Sequence, residues 1–117
     1  MNIEELDQYC MQKKGVTVST PFDEVTLVYK VMNKMFALIN SDSGTHINLK
    51  CDPEYALELR AMHVEIQPGF HMSKKHWNTV ALNESYEDRK VYALIDHSYD
   101  LIVKSLTKKL RTELAEM

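Results

Sequence analysis

The chain is short of the residues that mark special chemistry or special architecture. Its 117 residues contain two cysteines, three glycines, three prolines and one tryptophan. Cys10 and Cys51 are isolated, with no C-x-x-C spacing, and are expected to stay reduced as small core or surface residues. So little glycine and proline leaves no room for a flexible linker or a low-complexity segment, and no repeat at a solenoid period is present. The longest apolar runs, such as Met35 to Ile39, are far too short to span a bilayer. Met1 to Asp7 is acidic and has no apolar core, so it does not read as a signal peptide, and the cytoplasm is the expected location. Positive charge is not in excess either: the formal net charge is −3 and the sequence pI about 5.9. That argues against a dedicated high-affinity nucleic-acid binder, although a local basic patch remains compatible with it. Neither G-x-G-x-x-G nor G-x-x-x-x-G-K-[ST] occurs, which removes the phosphate-cradling loops.

What is there is ordinary for one soluble globular domain: 44% hydrophobic and 26% charged residues, in a chain long enough for a single core over residues 1–117. Asn2 reads as a helix N-cap with Glu5 completing a capping box, and Ile3, Leu6, Cys10 and Met11 share one helical face. Lys13 and Lys14 suit the negative end of the helix dipole, and Gly15 can close the helix. Val16 to Pro21 is short and β-rich, an edge or irregular strand. Val25 to Met32 and Met35 to Ile39 form a hairpin about an Asn33-Lys34 turn, and Asp42-Ser43-Gly44 leads into a third strand. There His46, Asn48 and Lys50 alternate with Ile47 and Leu49, giving one wet and one buried face. Asp52-Pro53-Glu54 starts a helix to about His63, with Ala56, Leu59 and Met62 inward. Ser85 to Asp88 opens the last helical region, whose apolar stripe is Val91, Leu94, Ile95, Leu101 and Ile102, with a kink or break expected near Asp96 to Ser98. Short turns between strands, with helices interspersed, predict a two-layer α+β domain: an antiparallel sheet with helices on one face.

One stretch stands out. Pro68 to Leu82 holds the only tryptophan, His71 and His76, and the Lys74-Lys75 pair, and no acidic residue falls between Glu65 and Glu84. A Pro-Gly break, polar residues and then Trp-x-x-Val-x-Leu predict an ordered loop feeding a strand. Lys74, Lys75, His76 and Asn78 could hold phosphate oxygens, with Trp77 or Phe70 offering an aromatic face. The plainer alternative is that Trp77 anchors the core and the lysines are a solvated turn.

Other constellations are weaker. Asp96-His97-Ser98 has hydrolase residue types, but consecutive helical side chains point about 100° apart and cannot hydrogen-bond in series. His71 and His76, with His46 or His63, match no metal-ligand spacing, so no metal or other cofactor is expected. No local signature activates either cysteine. The acid pairs Glu4-Glu5 and Glu87-Asp88 sit at helix starts, where the dipole accounts for them. With no nucleophile or acid/base pair legible, the chain is not expected to be an enzyme.

Four blocks together resemble the MmcQ/YjbR family of small bacterial proteins: Lys34-Met35-Phe36-Ala37-Leu38; Asn48-Leu49-Lys50 with Pro53-Glu54; Lys74-Lys75-His76-Trp77-Asn78-Thr79-Val80; and Ile95 to Leu101, containing His97-Ser98-Tyr99. They cover nearly the whole chain in order. The chain departs from the family pattern at Asn33, where a glycine is usual, and at Ser73, where asparagine is frequent. The resemblance implies an α-β(3)-α-β(2)-α domain, similar in shape to type III secretion chaperones and frataxin-like domains. It also implies DNA binding, a description that rests on fold comparison rather than chemistry. Two expectations follow. One is a monomeric, non-enzymatic domain that binds DNA weakly and salt-sensitively through His46, Asn48 and Lys50 of the wet strand face and His71, Lys74, Lys75, His76 and Asn78 of the loop. The other is a chaperone-like domain that receives a partner protein or peptide at a sheet edge or groove.

Overall fold

The first helix begins where the capping pattern puts it. In the computed structural model, which describes all of residues 1–117, Asn2 Oδ1 accepts the Glu5 N–H at 2.9 Å and opens α1, Ile3–Met11. Leu6 and Cys10 are its buried residues, and Met11, expected inward, lies on the exposed side. One residue beyond Cys10 on a helix is a turn of about 100° away from the core. Gly15 then adopts φ +73°, and a Cβ there would come within 2.5 Å of Leu114 Cδ1, so both backbone conformation and close approach require glycine.

The remaining elements are β1 (Val16–Ser19), β2 (Thr26–Val31), β3 (Lys34–Asn40), β4 (His46–Lys50), α2 (Pro53–Met62), β5 (Ile66–Pro68), β6 (Trp77–Ala81), α3 (Asp88–Ser105) and α4 (Lys108–Ala115). The strands form one antiparallel sheet in the order β1-β2-β3-β4-β6-β5. The α+β class is the one read from the sequence. The sheet is larger than a three-strand meander plus two because Val16–Ser19 pairs fully along β2, from Val16↔Val31 to Ser19↔Val28.

The first hairpin turns at Met32-Asn33, one residue earlier than expected, with φ of 47° and 70° at the two positions and Val31 paired to Lys34. Positive φ at both central residues matches the turn to the strands' right-handed twist, and asparagine tolerates it well. Past the turn, the register steps from Lys30↔Met35 to Tyr29↔Ala37, so Phe36 has no partner on β2. This bulge brings Phe36 to the same side of the sheet as Ala37 and Ile39.

All four helices pack on that side. Leu6 and Cys10 of α1, Ala56 and Leu59 of α2, the α3 stripe from Val91 to Ile102 and Leu114 of α4 form one core with Tyr29, Val31, Ile47, Leu49 and Val80 of the sheet. The other face buries only a small apolar cluster, Val28, Leu38 and Trp77, edged by Met35 and Met72. No helix is long and apolar enough to cross a membrane. Asp52 caps α2 by accepting the Tyr55 N–H at 3.1 Å. Met62, expected inward, is 75% exposed, because His63 takes the inward place one residue later, edge-on to Tyr86 with ring centroids 5.3 Å apart.

The long C-terminal helix differs from expectation at both ends of its apolar stripe. It does not break near Asp96 to Ser98: α3 runs unbroken to Ser105, and the break falls at Leu106-Thr107, where Thr107 Oγ1 accepts the Leu110 N–H at 3.2 Å and starts α4. Residues 88–105 contain no glycine or proline to interrupt them. At its start Glu87, not Ser85, holds the N-cap position, and Ser85 bonds to Asn83 instead.

Unbroken helix through this region places Ser98 against the sheet with no exposed surface. Its hydroxyl donates to the Phe36 carbonyl at 2.6 Å and accepts the Lys50 N–H at 3.0 Å. The side chain thus bridges the bulge of β3 to the end of β4. Ser98→Ala leaves both backbone groups unpaired in the core and is expected to cost about 2–3 kcal/mol, read from the urea unfolding midpoint. A loss below about 0.5 kcal/mol would mean that the bridge is not needed.

Candidate functional site

Because the helices occupy one face, the other face of the sheet is left open, and the loops shape it. Strand register sets Thr26 beside Asn40, Leu38 beside Asn48, and Asn48 beside Thr79. These side chains floor a cleft of about 610 Å³, walled by Phe22 and Asp23 on one side and Phe70, His71 and Met72 on the other.

The walls are built locally. Asp23 Oδ1 accepts the Val25 and Thr26 N–H groups at 2.9 and 2.6 Å, and Oδ2 accepts the Thr26 hydroxyl at 2.9 Å. These hydrogen bonds hold its carboxyl below the usual carboxylate range. Asp23 therefore shapes the turn, and Phe22 projects beside it. In the opposite wall, the Gly69 N–H donates to the Trp77 carbonyl at 2.8 Å, and a Cβ at Gly69 would sit 2.8 Å from Trp77 Cβ. His71 adopts φ +57°, and Lys74 Nζ donates back to the Gly69 carbonyl at 3.1 Å. Arg60 of α2 clamps this loop from behind: Nε donates to Asn78 Oδ1 at 2.7 Å and Nη2 to the Trp77 carbonyl at 3.1 Å and to the Lys74 carbonyl.

The floor is polar and ordered. The Phe70 N–H donates to Thr79 Oγ1 at 3.0 Å, and that hydroxyl donates to Asn48 Oδ1 at 2.5 Å. His46 Nδ1 lies 2.8 Å from Thr45 Oγ1, and its ring stands edge-on to Phe70 with centroids 6.4 Å apart.

Of the residues singled out by sequence, His46, Asn48 and His71 meet in the cleft. Lys50 shares their face of β4 but lies one repeat further along, opposite Trp77. Lys75 and His76 are exposed on the loop, and Lys74 is exposed with its ammonium tied to Gly69. Asn78 does not join them. It pairs with Leu49 on the helix side, is 2% exposed, and its Nδ2 has no partner. Alternation along β6 dictates this, since Trp77 and Thr79 take the open face and Asn78 the opposite one. Trp77 is buried with Val28 and Leu38, so it anchors the sheet, and Phe70 is the aromatic left at the surface. Sequence reasoning missed Thr79, which that alternation marks, and Phe22 and Arg60, which no local pattern marks.

The other constellations disperse. Asp96 accepts the Tyr9 hydroxyl at 2.6 Å and pairs with Lys13 at 2.5 Å. His97 Nε2 accepts the Asp52 N–H at 3.2 Å, and Ser98 enters the sheet. No three His, Cys, Asp or Glu side chains converge as a ligand set. Burial pushes the Cys10 thiol up to about 12 and the Cys51 thiol up to about 11, so neither is a thiolate at neutral pH.

The arrangement has known relatives. The family model YjbR matches residues 11–101. The chain belongs to the YjbR family. This YjbR-family chain is 36% identical to the uncharacterized protein YjbR of Escherichia coli K12 over 118 residues, covering all of both chains. It is 36% identical to the uncharacterized protein YbdF of Escherichia coli O157:H7 over 107 residues, covering 91% of this chain and 88% of that one. The crystal structure of Deinococcus radiodurans protein DR2400 superposes with a TM-score of 0.91 at 36% identity, covering 97% of this chain and 88% of the other. A Pseudomonas syringae protein gives a TM-score of 0.73 at 29% identity over 86% and 98% of the two chains.

Two outcomes test this geometry. Arg60→Ala strips Asn78 of its one partner and unclamps the loop, and is expected to lower stability by about 2 kcal/mol. Amide exchange would rise across residues 69–76 while α3 stays protected; unchanged loop exchange would show that Arg60 is not the clamp. For His97, desolvation lowers its pKa from the ordinary 6.5, against the raising effect of Asp52 and Asp100 and with that of Lys104. A His pKa lowered by folding means that the unfolded chain binds the proton first. Stability is therefore complete above the ordinary value and falls as pH drops toward the lowered one. The urea midpoint should decline over that window, and His97→Gln, which keeps an acceptor but does not titrate, should flatten the decline.

Proposed function

We propose that this chain is a non-enzymatic nucleic-acid-binding domain that engages DNA weakly and salt-sensitively with the open face of its sheet, as a monomer in the cytoplasm and without a cofactor. The supporting observation is the segregation of charge. No strand contains Asp or Glu, whereas Lys30, Lys34, His46 and Lys50 all lie in strands. Register sets Lys30 beside Met35 and Lys50 beside Trp77, both on the open face. His71, Lys75 and His76 add basic groups from the adjoining loop. Most acids lie on the helices and the segments flanking them. The exceptions near the open face are Asp23, Glu24 and Asp42, and the carboxylate of Asp23 already accepts three hydrogen bonds. A net charge of −3 is thus compatible with a locally positive face, the arrangement that phosphate contacts need.

The chemistry available is phosphate contact by lysine and histidine, which positions a strand without specifying its sequence. Anisotropy of labelled mixed-sequence DNA, annealed and unannealed, is expected to show binding at about 50 mM salt that fades by about 200 mM. Lys50→Glu with Lys75→Glu should abolish it. Binding that survives both reversals would place the interface elsewhere.

A second reading has its own observation. Leu57, Met62 and Val64 are exposed beside the edge strand β5, a pattern that suits a partner segment added to a sheet edge. Leu57→Ser with Val64→Ser would abolish that docking and, adding no charge, leave DNA affinity unchanged.

A further inference from the structure

The open-face cleft differs from a surface that merely tracks phosphates. It is concave, its volume of about 610 Å³ suits a small ligand, and its two lips carry exposed aromatic rings, Phe22 at 65% and Phe70 at 57% exposure. Neither phenylalanine belongs to the buried core clusters. Between them the floor presents a hydrogen-bonding group of fixed orientation. Thr79 Oγ1 accepts the Phe70 N–H and so directs its own hydrogen to Asn48 Oδ1. The carbonyl oxygen of Asn48 is thereby committed, and its Nδ2 has no protein partner. His46 is held in the same way, with Nδ1 occupied by Thr45 Oγ1 and the Nε2 edge left free. Lys50 lies two residues beyond Asn48 on the same face, about 7 Å along the strand.

Aromatic rings at the lips, an amide donor below and a cation beside it match one planar ring bearing acceptor atoms and attached to a phosphate. We infer that the cleft takes one unpaired base of a single-stranded nucleic acid, stacked against Phe70 or Phe22 and hydrogen-bonded through its edge to Asn48 Nδ2. The inference rests on the nucleic-acid reading above and narrows it. In a duplex both the ring faces and the pairing edge of a base are already occupied, so a site built this way selects strands whose bases can leave the stack. The amide orients the base without selecting it, because every base carries an acceptor on an edge.

Trp77, the chain's one tryptophan, packs with Leu38 and Met72, both of which line the cleft, so its emission is followed beside the anisotropy of the labelled DNA, which registers binding anywhere on the chain. The full chain is titrated with a 12-nucleotide mixed-sequence DNA strand, with the same strand annealed to its complement, and with a free nucleoside monophosphate. The single strand is expected to bind at least about ten-fold more tightly than the duplex. Phe70→Ala, at an exposed position, should weaken the single strand by about ten-fold or more and leave the duplex unchanged. Asn48→Ala should also weaken it, and unchanged urea midpoints would exclude loss of folding as the cause. Equal single-strand and duplex affinities, untouched by Phe70→Ala, would overturn the cleft inference while DNA binding as such stands. A nucleoside monophosphate that binds as tightly as the strand would make this a free-nucleotide site and overturn the inference. No binding by any of the three at about 50 mM salt would remove both readings.

Discussion

One buried hydroxyl joins the two layers of this domain. Ser98 sits in the middle of the longest helix and bonds at once to the Phe36 carbonyl and the Lys50 N–H. Both groups lie where the β3–β4 ladder ends, just beyond the last paired residues, Ala37 and Leu49. Such groups are costly when buried unpaired. By satisfying them from the helix side, Ser98 lets the sheet stop pairing there without leaving a polar defect in the core. The bulge at Phe36 belongs to the same device, since it carries that residue and its carbonyl toward α3, where the ring also meets Tyr99 edge-on at 5.5 Å.

That coupling has consequences across the sheet. With α3 fixed on one face and α1, α2 and α4 packed around it, every large apolar stripe of the helices is satisfied on the same side. The opposite face keeps a single small cluster around Trp77, enough to seat the loops but not to require cover by another layer. Arg60 does a related job from the edge. It reaches from α2 to the loop carbonyl of Lys74 and to the Trp77 carbonyl and Asn78 side chain of β6, so the loop that walls the cleft is held by the core side of the molecule. The open face is therefore a concave surface whose wall is tied to the body of the domain, the kind of scaffold on which recognition groups are held in place.

Much of this was legible in the sequence because the signals are local. Asn2 and Asp52 as caps, proline at the first position of α2, and the alternation of His46, Asn48 and Lys50 with Ile47 and Leu49 each depend on neighbours a few residues away. Charge segregation was visible in part as the acid-free run around Lys74 and Lys75. Errors arose where a local pattern was incomplete. Met62 and Met11 were expected on a core face, but in each case an adjacent residue, His63 or Cys10, takes the inward place. The length of the last helical region pointed to a break near Asp96 to Ser98, whereas each of those residues has a partner distant in sequence and the helix ends only at Ser105.

The sequence alone determined the α+β class, the strands and helices other than β5 and the separate α4 apart from their boundaries, and the presence of an acid-free basic segment, because periodicity, capping and composition act over one or two turns of chain. Tertiary structure alone decided which polar residues share a surface. It separated Asn78 from Asn48 by one step of strand register and tied Lys74 to a backbone carbonyl. It also raised Phe22, Phe70 and Thr79 around a cleft with His46, residues drawn from four separate segments. The reason is physical: strand order and register bring distant residues together, and they are fixed by how the whole core packs, which no short window of sequence contains.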